Sequence, residues 1–143
     1  MEYVYLARME ADPEGGFLVI FPDVPEAVTA GGTIEDARNN AVEALGLALR
    51  GILSMDRPLP APRASGSGLT PIAVDPATAL KLAVIDAFRA SGLNKSELAR
   101  RIGRAENEAR RILDPDHPTK LQLLGAALSA LGKDIVVTVR DAA

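Results

Sequence analysis

The sequence of 143 residues predicts an α+β protein, in which a small β-sheet crossed by one long helix precedes an all-helical unit. Apart from a short segment after the linker and a short run near the end, strand-like apolar patterns are confined to the residues before position 31. Helical spacing of apolar residues begins at Thr33 and resumes after residue 75. Residues 55–70 between them are rich in Pro, Gly and Ser. We therefore expect two domains, residues 1–74 and 75–143.

Three strands are predicted in the first part of the chain. Tyr3 to Met9 alternates, with Tyr3, Tyr5, Ala7 and Met9 on one face. The polar turn Glu10 to Gly16 ends in a Gly pair that suits a hairpin. Phe17 to Phe21 is apolar on both faces, so we expect a central strand that is covered on each side. Pro22 ends it, and Val24 to Ala30 is a shorter third strand.

One long helix should cross this sheet. Thr33 and Asp36 form a capping-box-like start. The apolar residues that recur at helical spacing are Ile34, Ala37, Ala41, Leu45, Ala48, Leu49 and Ile52. After the linker region of residues 55–70, Leu69 to Val74 is expected to add an edge strand. The first domain is therefore predicted to be β-β-β-α with an additional strand.

The second domain is predicted to be helical with a terminal strand. Asp75-Pro76 is a strong helix start, and Leu80, Val84, Ala87 and Phe88 are expected to point inward. Further helices are expected from Asn94 to Gly103, from Ala105 to Leu113 and from Thr119 to Gly132. Ile135 to Val139, with the sequence IVVTV, is strand-like.

Composition excludes several classes of function. Aromatic residues make up 3% of the chain, so stacking platforms for single-stranded nucleic acid are not expected. The absence of Cys excludes disulfides and fits a reducing cytoplasm. No signal peptide or membrane-spanning run is apparent. The net charge of −3 divides into −5 for residues 1–74 (5 basic, 10 acidic) and +2 for residues 75–143 (11 basic, 9 acidic). An acidic first half suits a basic partner, although both halves could equally be ordinary solvated surfaces.

Residues 95–114 have the spacing of a helix-turn-helix. Ala99 fits a close helix crossing, and Gly103 fits a turn that needs positive φ. Arg101 and the other arginines of this stretch point outward, where they can meet phosphates or base edges. The candidate DNA-binding residues are Lys95, Ser96, Arg100, Arg104, Glu106, Asn107, Arg110 and Arg111. A plain helical bundle is the alternative, and Glu106 and Glu108 weaken the case because acids repel phosphates.

With both halves considered, the chain resembles the HicB family of antitoxins. The resemblance rests on GGFLVIFPDVPEAVTAGGTIEDARNNAVEAL, where an FPDVP element precedes a NAVEAL helix, and on KSELARRIG and KLQLLGAALSALGKDIVV later in the chain. Glu26 stands where many relatives have Gly, and Asp36 where Glu is usual. The resemblance implies a partial RNase H-like N-terminal domain, which binds a small, basic, mRNA-cleaving toxin of the HicA family. It also implies an Xre/lambda-repressor-like C-terminal domain that binds operator DNA and represses the operon.

The residues favour a binding protein over an enzyme. A two-metal nuclease needs converging carboxylates, whereas Asp23 is the only acid beside a strand end, and His117 alone makes a poor metal site. We expect no catalytic residue, metal or cofactor. The candidate toxin-binding residues are Phe21, Pro22, Asp23, Val24, Pro25 and Glu26, assisted by the acidic turn Glu10 to Glu14.

Two alternatives remain open. The first is a stand-alone transcription regulator with a ligand-sensing N-terminal domain, and the second is a structural oligomerisation protein. Domains of about 70 residues have marginal cores, and an unpaired IVVTV run would be a hazardous edge. A homodimer that pairs these runs, or a homotetramer, solves both problems.

Overall fold

The computed structural model describes residues 1–142 and has a mixed α+β architecture with a four-stranded sheet and five helices. The strands are β1 (Val4–Ala11), β2 (Phe17–Ile20), β3 (Val28–Gly31) and β4 (Leu69–Ala73). The helices are α1 (Ile34–Ser54), α2 (Pro76–Ser91), α3 (Lys95–Ile102), α4 (Glu106–Ile112) and α5 (Leu121–Ala130).

The sheet is antiparallel throughout, in the order β3-β2-β1-β4. Gly15 (φ 108°) and Gly16 (φ 74°) turn β1 into β2, as the Gly pair predicts. Gly16 also passes so close to β3 that a Cβ atom there would lie 2.6 Å from the carbonyl oxygen of Gly31. The predicted third strand is shorter than expected, because Val24 lies in consecutive turns that join Phe21 to Ala27. The predicted edge strand after the linker is confirmed as β4.

Helix α1 covers one face of the sheet. The hydroxyl oxygen of Thr33 accepts a hydrogen bond from the Asp36 N–H at 3.0 Å, so the predicted cap is confirmed. The core between sheet and helix contains Tyr5, Ala7, Val19, Phe21, Val24, Ala27, Ala37, Ala41, Leu45, Leu49, Ile52, Leu53, Ile72 and Val74. Of the residues on the predicted apolar face of α1, Leu45 is fully buried and Ala48 is half-buried. Ile34 is exposed, so it does not contribute to the core as predicted.

The opposite face of the sheet is uncovered. Alternation along the paired strands places on it Val28 and Ala30 of β3, Leu18 and Ile20 of β2, Val4, Leu6, Arg8 and Glu10 of β1, and Leu69, Pro71 and Ala73 of β4. None of these residues is buried, and none belongs to a buried core cluster. We call this surface the open face. The expectation that Phe17 to Phe21 is covered on both sides is wrong, because one helical layer covers only one side of β2.

The linker folds back onto the sheet domain. The hydroxyl of Tyr5 donates a hydrogen bond to the carbonyl oxygen of Pro60 at 2.8 Å. One carboxylate oxygen of Asp23 accepts hydrogen bonds from the N–H groups of Arg63 and Ala64, at 2.8 and 2.7 Å. The extended proline-rich part of the linker is thus fastened at two points.

Helix α2 joins the two parts of the molecule. Asp75 caps it, and Gly92 (φ 74°) ends it, as predicted. Its residues Leu82 and Ile85 lie in the core under the sheet, whereas Val84 lies in a second core with residues of α4 and α5. The guanidinium of Arg89 donates to the carbonyl oxygen of Leu53 at 2.7 Å and so caps the end of α1. Packing is therefore continuous across residue 75.

Helices α3, α4 and α5 surround the second core. Asn94 and Glu97 form the predicted capping box at the start of α3, and Gly103 (φ 67°) makes the turn to α4. The side chain of Ala105 gives α4 no cap. Helix α5 begins two residues after the predicted Thr119.

The predicted terminal strand is absent from the described chain. Residues 133–142 form neither helix nor strand, and Val136, Val137 and Val139 are 86%, 79% and 91% exposed. A strand requires hydrogen bonds from a neighbouring strand, and this run pairs with neither edge of the sheet. The expected pairing of two such runs in a dimer is not tested by a single chain and stays a prediction.

Candidate functional site

The surface formed by α3 and α4 carries every predicted DNA-binding residue. The apolar side chains Leu98, Ala99, Ala109 and Ile112 are buried where these helices pack against the molecule. All eight predicted residues are exposed, with Arg104 in the turn between the two helices: Lys95, Ser96, Arg100, Arg104, Glu106, Asn107, Arg110 and Arg111. Residues 95–113 contain six basic and three acidic side chains, a formal charge of +3. The geometry thus presents a basic surface on two adjacent short helices.

Glu106 is the centre of a hydrogen-bonded chain on this surface. The hydroxyl of Ser96 donates to one carboxylate oxygen at 3.0 Å, and the guanidinium of Arg110 donates to the other at 3.0 Å. The hydrogen bond from Ser96, followed by that from Arg110, holds the pKa of Glu106 below its usual value. Glu106 is therefore ionised at neutral pH, and its carboxylate is held between the first turns of α3 and α4.

The arginines of this surface are not equivalent. Arg104 pairs with Glu108 at 3.4 Å, and Arg110 pairs with Glu106. Within residues 1–142, no ion pair engages Lys95, Arg100 or Arg111. Exposed pairs of this kind are weak. A phosphate can therefore compete for Arg104, whereas Arg111 can meet a phosphate without breaking an ion pair.

A buried lysine forms hydrogen bonds with the C-terminal end of α4. Lys81 of α2 is 4% exposed. Its ammonium group donates hydrogen bonds to the carbonyl oxygens of Arg111 (3.2 Å) and Ile112 (2.9 Å) and to the hydroxyl of Thr119. Burial lowers the pKa of Lys81 to about 8, and the charge of Asp114 opposes this shift. The sequence prediction missed this residue, although its position between Leu80 and Leu82 on an apolar helix was a signal.

A cavity of about 470 Å³ lies between α4 and α5. Its lining includes Arg104, Arg111, His117 and Lys120, together with the apolar Ile112. His117 therefore lies among basic side chains, and not among side chains that could bind a metal ion with it. Among residues 1–142, no three His, Cys, Asp or Glu side chains are close enough to hold a metal ion.

The predicted toxin-binding segment is divided between core and surface. Phe21 and Val24 are 2% and 0% exposed, so their side chains belong to the core and cannot contact a partner directly. Asp23 is engaged by the linker, as described above. Pro22, Pro25 and Glu26 are exposed, and Glu26 pairs with Arg57 at 3.3 Å. The segment thus offers a partner two prolines and one acid, backed by the linker.

The acidic turn at residues 10–14 does not adjoin this segment. The turn precedes β2 and Asp23 follows it, so they lie at opposite ends of the sheet. A four-residue strand alone separates them by about 13 Å. The expected assistance of this turn in toxin binding stays a prediction, and it would require a partner that reaches both ends of the sheet.

Comparison with known proteins identifies the family. The family model described as "HicB_like antitoxin of bacterial toxin-antitoxin system" matches residues 4–83. The chain belongs to the HicB-like antitoxin family. The match ends inside α2, the helix that completes the core under the sheet. The strong resemblance read from the FPDVP and NAVEAL elements is thereby confirmed.

Curated HicB antitoxins align with nearly the whole chain. Antitoxin HicB 1 of Photorhabdus laumondii is 34% identical over 135 residues, which cover 94% of this chain and 86% of that protein. Antitoxin HicB of Escherichia coli K12 is 35% identical over 131 residues, covering 92% and 95%. Antitoxin HicB of Pseudomonas fluorescens is 30% identical over 141 residues, covering 98% and 96%. Among the described helices, none is long and apolar enough to cross a membrane.

Proposed function

We propose that this HicB-family antitoxin binds and occludes a HicA-like, mRNA-cleaving toxin, and that it binds its own operator to repress transcription of the pair. The observation that carries the proposal is the family match over residues 4–83, together with HicB antitoxins that align with more than nine-tenths of the chain. The proposal divides the work between a partial RNase H-like domain, residues 1–74, and a helix-turn-helix domain, residues 75–143. Both would act in the cytoplasm, where mRNA and operator are found.

Neutralisation of the toxin requires occlusion and no chemistry by the antitoxin. The sheet domain has a formal charge of −5, which suits a small basic protein whose normal ligand is RNA. Pro22, Pro25 and Glu26 form its exposed contact segment, and Asp23 fixes the linker behind them. A stable complex of ordinary size buries about 1,600 Å² in total. The segment is therefore one part of a larger contact.

Operator binding would use the α3–α4 surface. In a helix-turn-helix, residues at the start of the second helix contact base edges in the major groove. Glu106 and Asn107 occupy that position in α4. Lys95, Arg100 and Arg111 would contact phosphates, and Arg104 and Arg110 would join them after exchange of their ion pairs. The ionised Glu106 can accept a hydrogen bond from cytosine N4.

Symmetric operator binding requires at least two copies of the chain. Ile135 to Val139 is an exposed apolar run that lacks a strand neighbour within residues 1–142. Antiparallel pairing of two such runs would satisfy their backbone groups and give a dimer with two α4 helices. Half-sites about 34 Å apart would then match the dimer. A homodimer, or a homotetramer if the sheet domains also pair, is the assembly we propose.

Co-expression with the adjacent gene tests the proposal. A small basic protein encoded next to this chain should arrest growth when produced alone and should co-purify with this chain when both are produced. Restored growth supports neutralisation. Persistent arrest, with both proteins present in the cell extract, would refute it and favour a stand-alone regulator.

A further inference from the structure

Both acids of the predicted toxin-binding segment already have partners within the chain. The guanidinium of Arg57 donates a hydrogen bond to the carboxylate of Glu26 at 3.3 Å. The N–H groups of Arg63 and Ala64 donate to one carboxylate oxygen of Asp23, at 2.8 and 2.7 Å. All three donors belong to the part of the linker between positions 57 and 64, which we call the strap. The strap therefore contacts the two carboxylates that a basic toxin is expected to meet.

The strap offers the same kinds of donor as a basic protein. It contains two arginines, three prolines and no acid, whereas the domain around it has a formal charge of −5. An extended, proline-rich segment forms no hydrogen bonds within itself, so its N–H groups are free to donate elsewhere. Cationic side chains and backbone N–H groups are strong donors to a carboxylate. The strap is thus a basic element bound to an acidic domain of its own chain.

Few contacts hold the strap in place. Besides the bonds to the two acids, the hydroxyl of Tyr5 donates to the carbonyl oxygen of Pro60 at 2.8 Å, and Leu59 packs partly against the core. None of the residues of the strap is buried. The side chain of Arg57 is 55% exposed, and such exposed ion pairs contribute little. Release would also restore the conformational entropy of the ordered residues. The strap can therefore leave while the core stays intact.

We propose that the strap is an internal stand-in for a basic partner, which occupies Asp23 and Glu26 in the free chain and is displaced when that partner binds. The inference rests on the proposed neutralisation of a basic toxin. A cation of the toxin that pairs with Glu26 takes the place of Arg57, and donors that reach Asp23 take the place of Arg63 and Ala64. Displacement lowers the apparent affinity for every partner. A basic protein that makes few other contacts would not compete, so the strap restricts this segment to a specific partner.

Hydrogen exchange of the full chain tests the displacement, with the purified product of the adjacent gene as the partner. The amides of Arg63 and Ala64 should exchange faster in the complex than in the free chain, because their acceptor is lost. Their rates in the free Asp23→Ala variant define a released strap. The amide of Asp36, which donates to the side chain of Thr33 at the other end of the sheet, is the matched reference and should not become faster.

The outcomes of this experiment separate the inference from the proposed function. Failure to form a complex refutes the proposed neutralisation, and this inference with it. A recovered complex in which the amides of Arg63 and Ala64 exchange at an unchanged or slower rate overturns the displacement alone.

An affinity measurement gives an independent test. Arg57→Ala frees Glu26 and leaves the backbone of the strap unchanged, so this variant should bind the same partner about two- to fivefold more tightly than Arg100→Ala does. Arg100 is exposed on α3, and its replacement changes the net charge by the same amount. Circular dichroism establishes that both variants are folded. Equal or weaker binding of Arg57→Ala would overturn the proposal, because Arg57 would then not compete with the partner.

Discussion

The ammonium of Lys81 donates a hydrogen bond to the carbonyl oxygen of Ile112 at 2.9 Å, and this contact ties the last turn of α4 to α2. Because α2 also contributes Leu82 and Ile85 to the core under the sheet, the two surfaces of the protein are joined by one helix. A change in how α2 packs on the sheet would therefore reach the end of the proposed recognition helix through Lys81, and also through Val84, which shares a core with Ile112.

Lys81→Met should destabilise the protein. The variant removes the donor and leaves the buried carbonyl oxygens of Arg111 and Ile112 without it, and an unsatisfied buried polar group costs about 1–3 kcal/mol. Chemical denaturation measures the difference in unfolding free energy. Lys120→Met, at an exposed position, is the matched control and should change stability by less than about 0.5 kcal/mol.

The same lysine gives stability a distinct pH dependence. Its pKa is 10.5 in the unfolded chain and about 8 in the folded one. Between these values the unfolded chain binds more protons, so the free energy of unfolding should rise with pH. The comparison should stop near pH 10, because burial raises the pKa of Tyr3 to about 12 and ionisation of this tyrosine in the unfolded chain then favours unfolding. The stability of wild type relative to the Lys81→Met variant should therefore increase from pH 8 to pH 10. If the difference in unfolding free energy between the two proteins stays constant from pH 8 to pH 10, the lowered pKa of Lys81 is contradicted.

Arg111→Ala should reduce the salt dependence of operator binding. Arg111 is exposed on α4, and no side chain within residues 1–142 forms an ion pair with it. Loss of one phosphate contact should lower the slope of log K against log salt by about 0.9. Titrations at several salt concentrations measure the slope, and Arg63→Ala, in the linker, should leave it unchanged. An unaltered slope for Arg111→Ala would remove this residue from the DNA contact.

Asp23→Ala should release the linker. Two backbone hydrogen bonds from Arg63 and Ala64 end on this carboxylate, and each contributes about 1 kcal/mol. Cleavage by a protease within residues 57–64 should accelerate several-fold. Glu14→Ala removes an exposed acid from the far end of the sheet and should leave cleavage at the wild-type rate. Equal cleavage of both variants would show that Asp23 does not hold the linker.

Glu26→Lys should weaken the toxin complex more than Glu14→Lys does. Both variants change the net charge by the same amount, but only Glu26 belongs to the proposed contact segment. The association rate of each variant should be measured on surface-immobilised toxin, because a charge at the rim of an interface acts mainly on association. A larger effect of Glu26→Lys indicates a local contact, whereas general electrostatic attraction depends only on net charge. Equal effects would place the contact elsewhere on the acidic domain.

Local sequence signals predicted the elements well, because their causes lie within a few residues. The Thr33 cap, the Asn94–Glu97 capping box and the positive φ of Gly103 each depend on neighbours in the chain. The family was also readable, because the FPDVP element and the NAVEAL helix occur together in order.

Features that depend on long-range packing were not readable. A lysine is expected to lie at the surface, but Lys81 is buried beneath the end of α4. The carbonyl oxygens that accept its hydrogen bonds belong to residues some 30 positions later in the chain. From the sequence, Asp23 has no obvious partner, but its carboxylate accepts a hydrogen bond from the backbone N–H of Arg63, 40 residues later in the linker. The uniformly apolar strand β2 suggested cover on both sides, whereas the chain supplies a helix for one side only.

The central claim is that this HicB-family protein neutralises a ribonuclease by occlusion. Its most direct measurement is cleavage of a defined mRNA by the purified product of the adjacent gene, with increasing amounts of this chain added. We predict that cleavage falls to background at a fixed molar ratio, and that a stable complex of the two proteins is recovered. Undiminished cleavage at a large excess of the folded chain would contradict the claim.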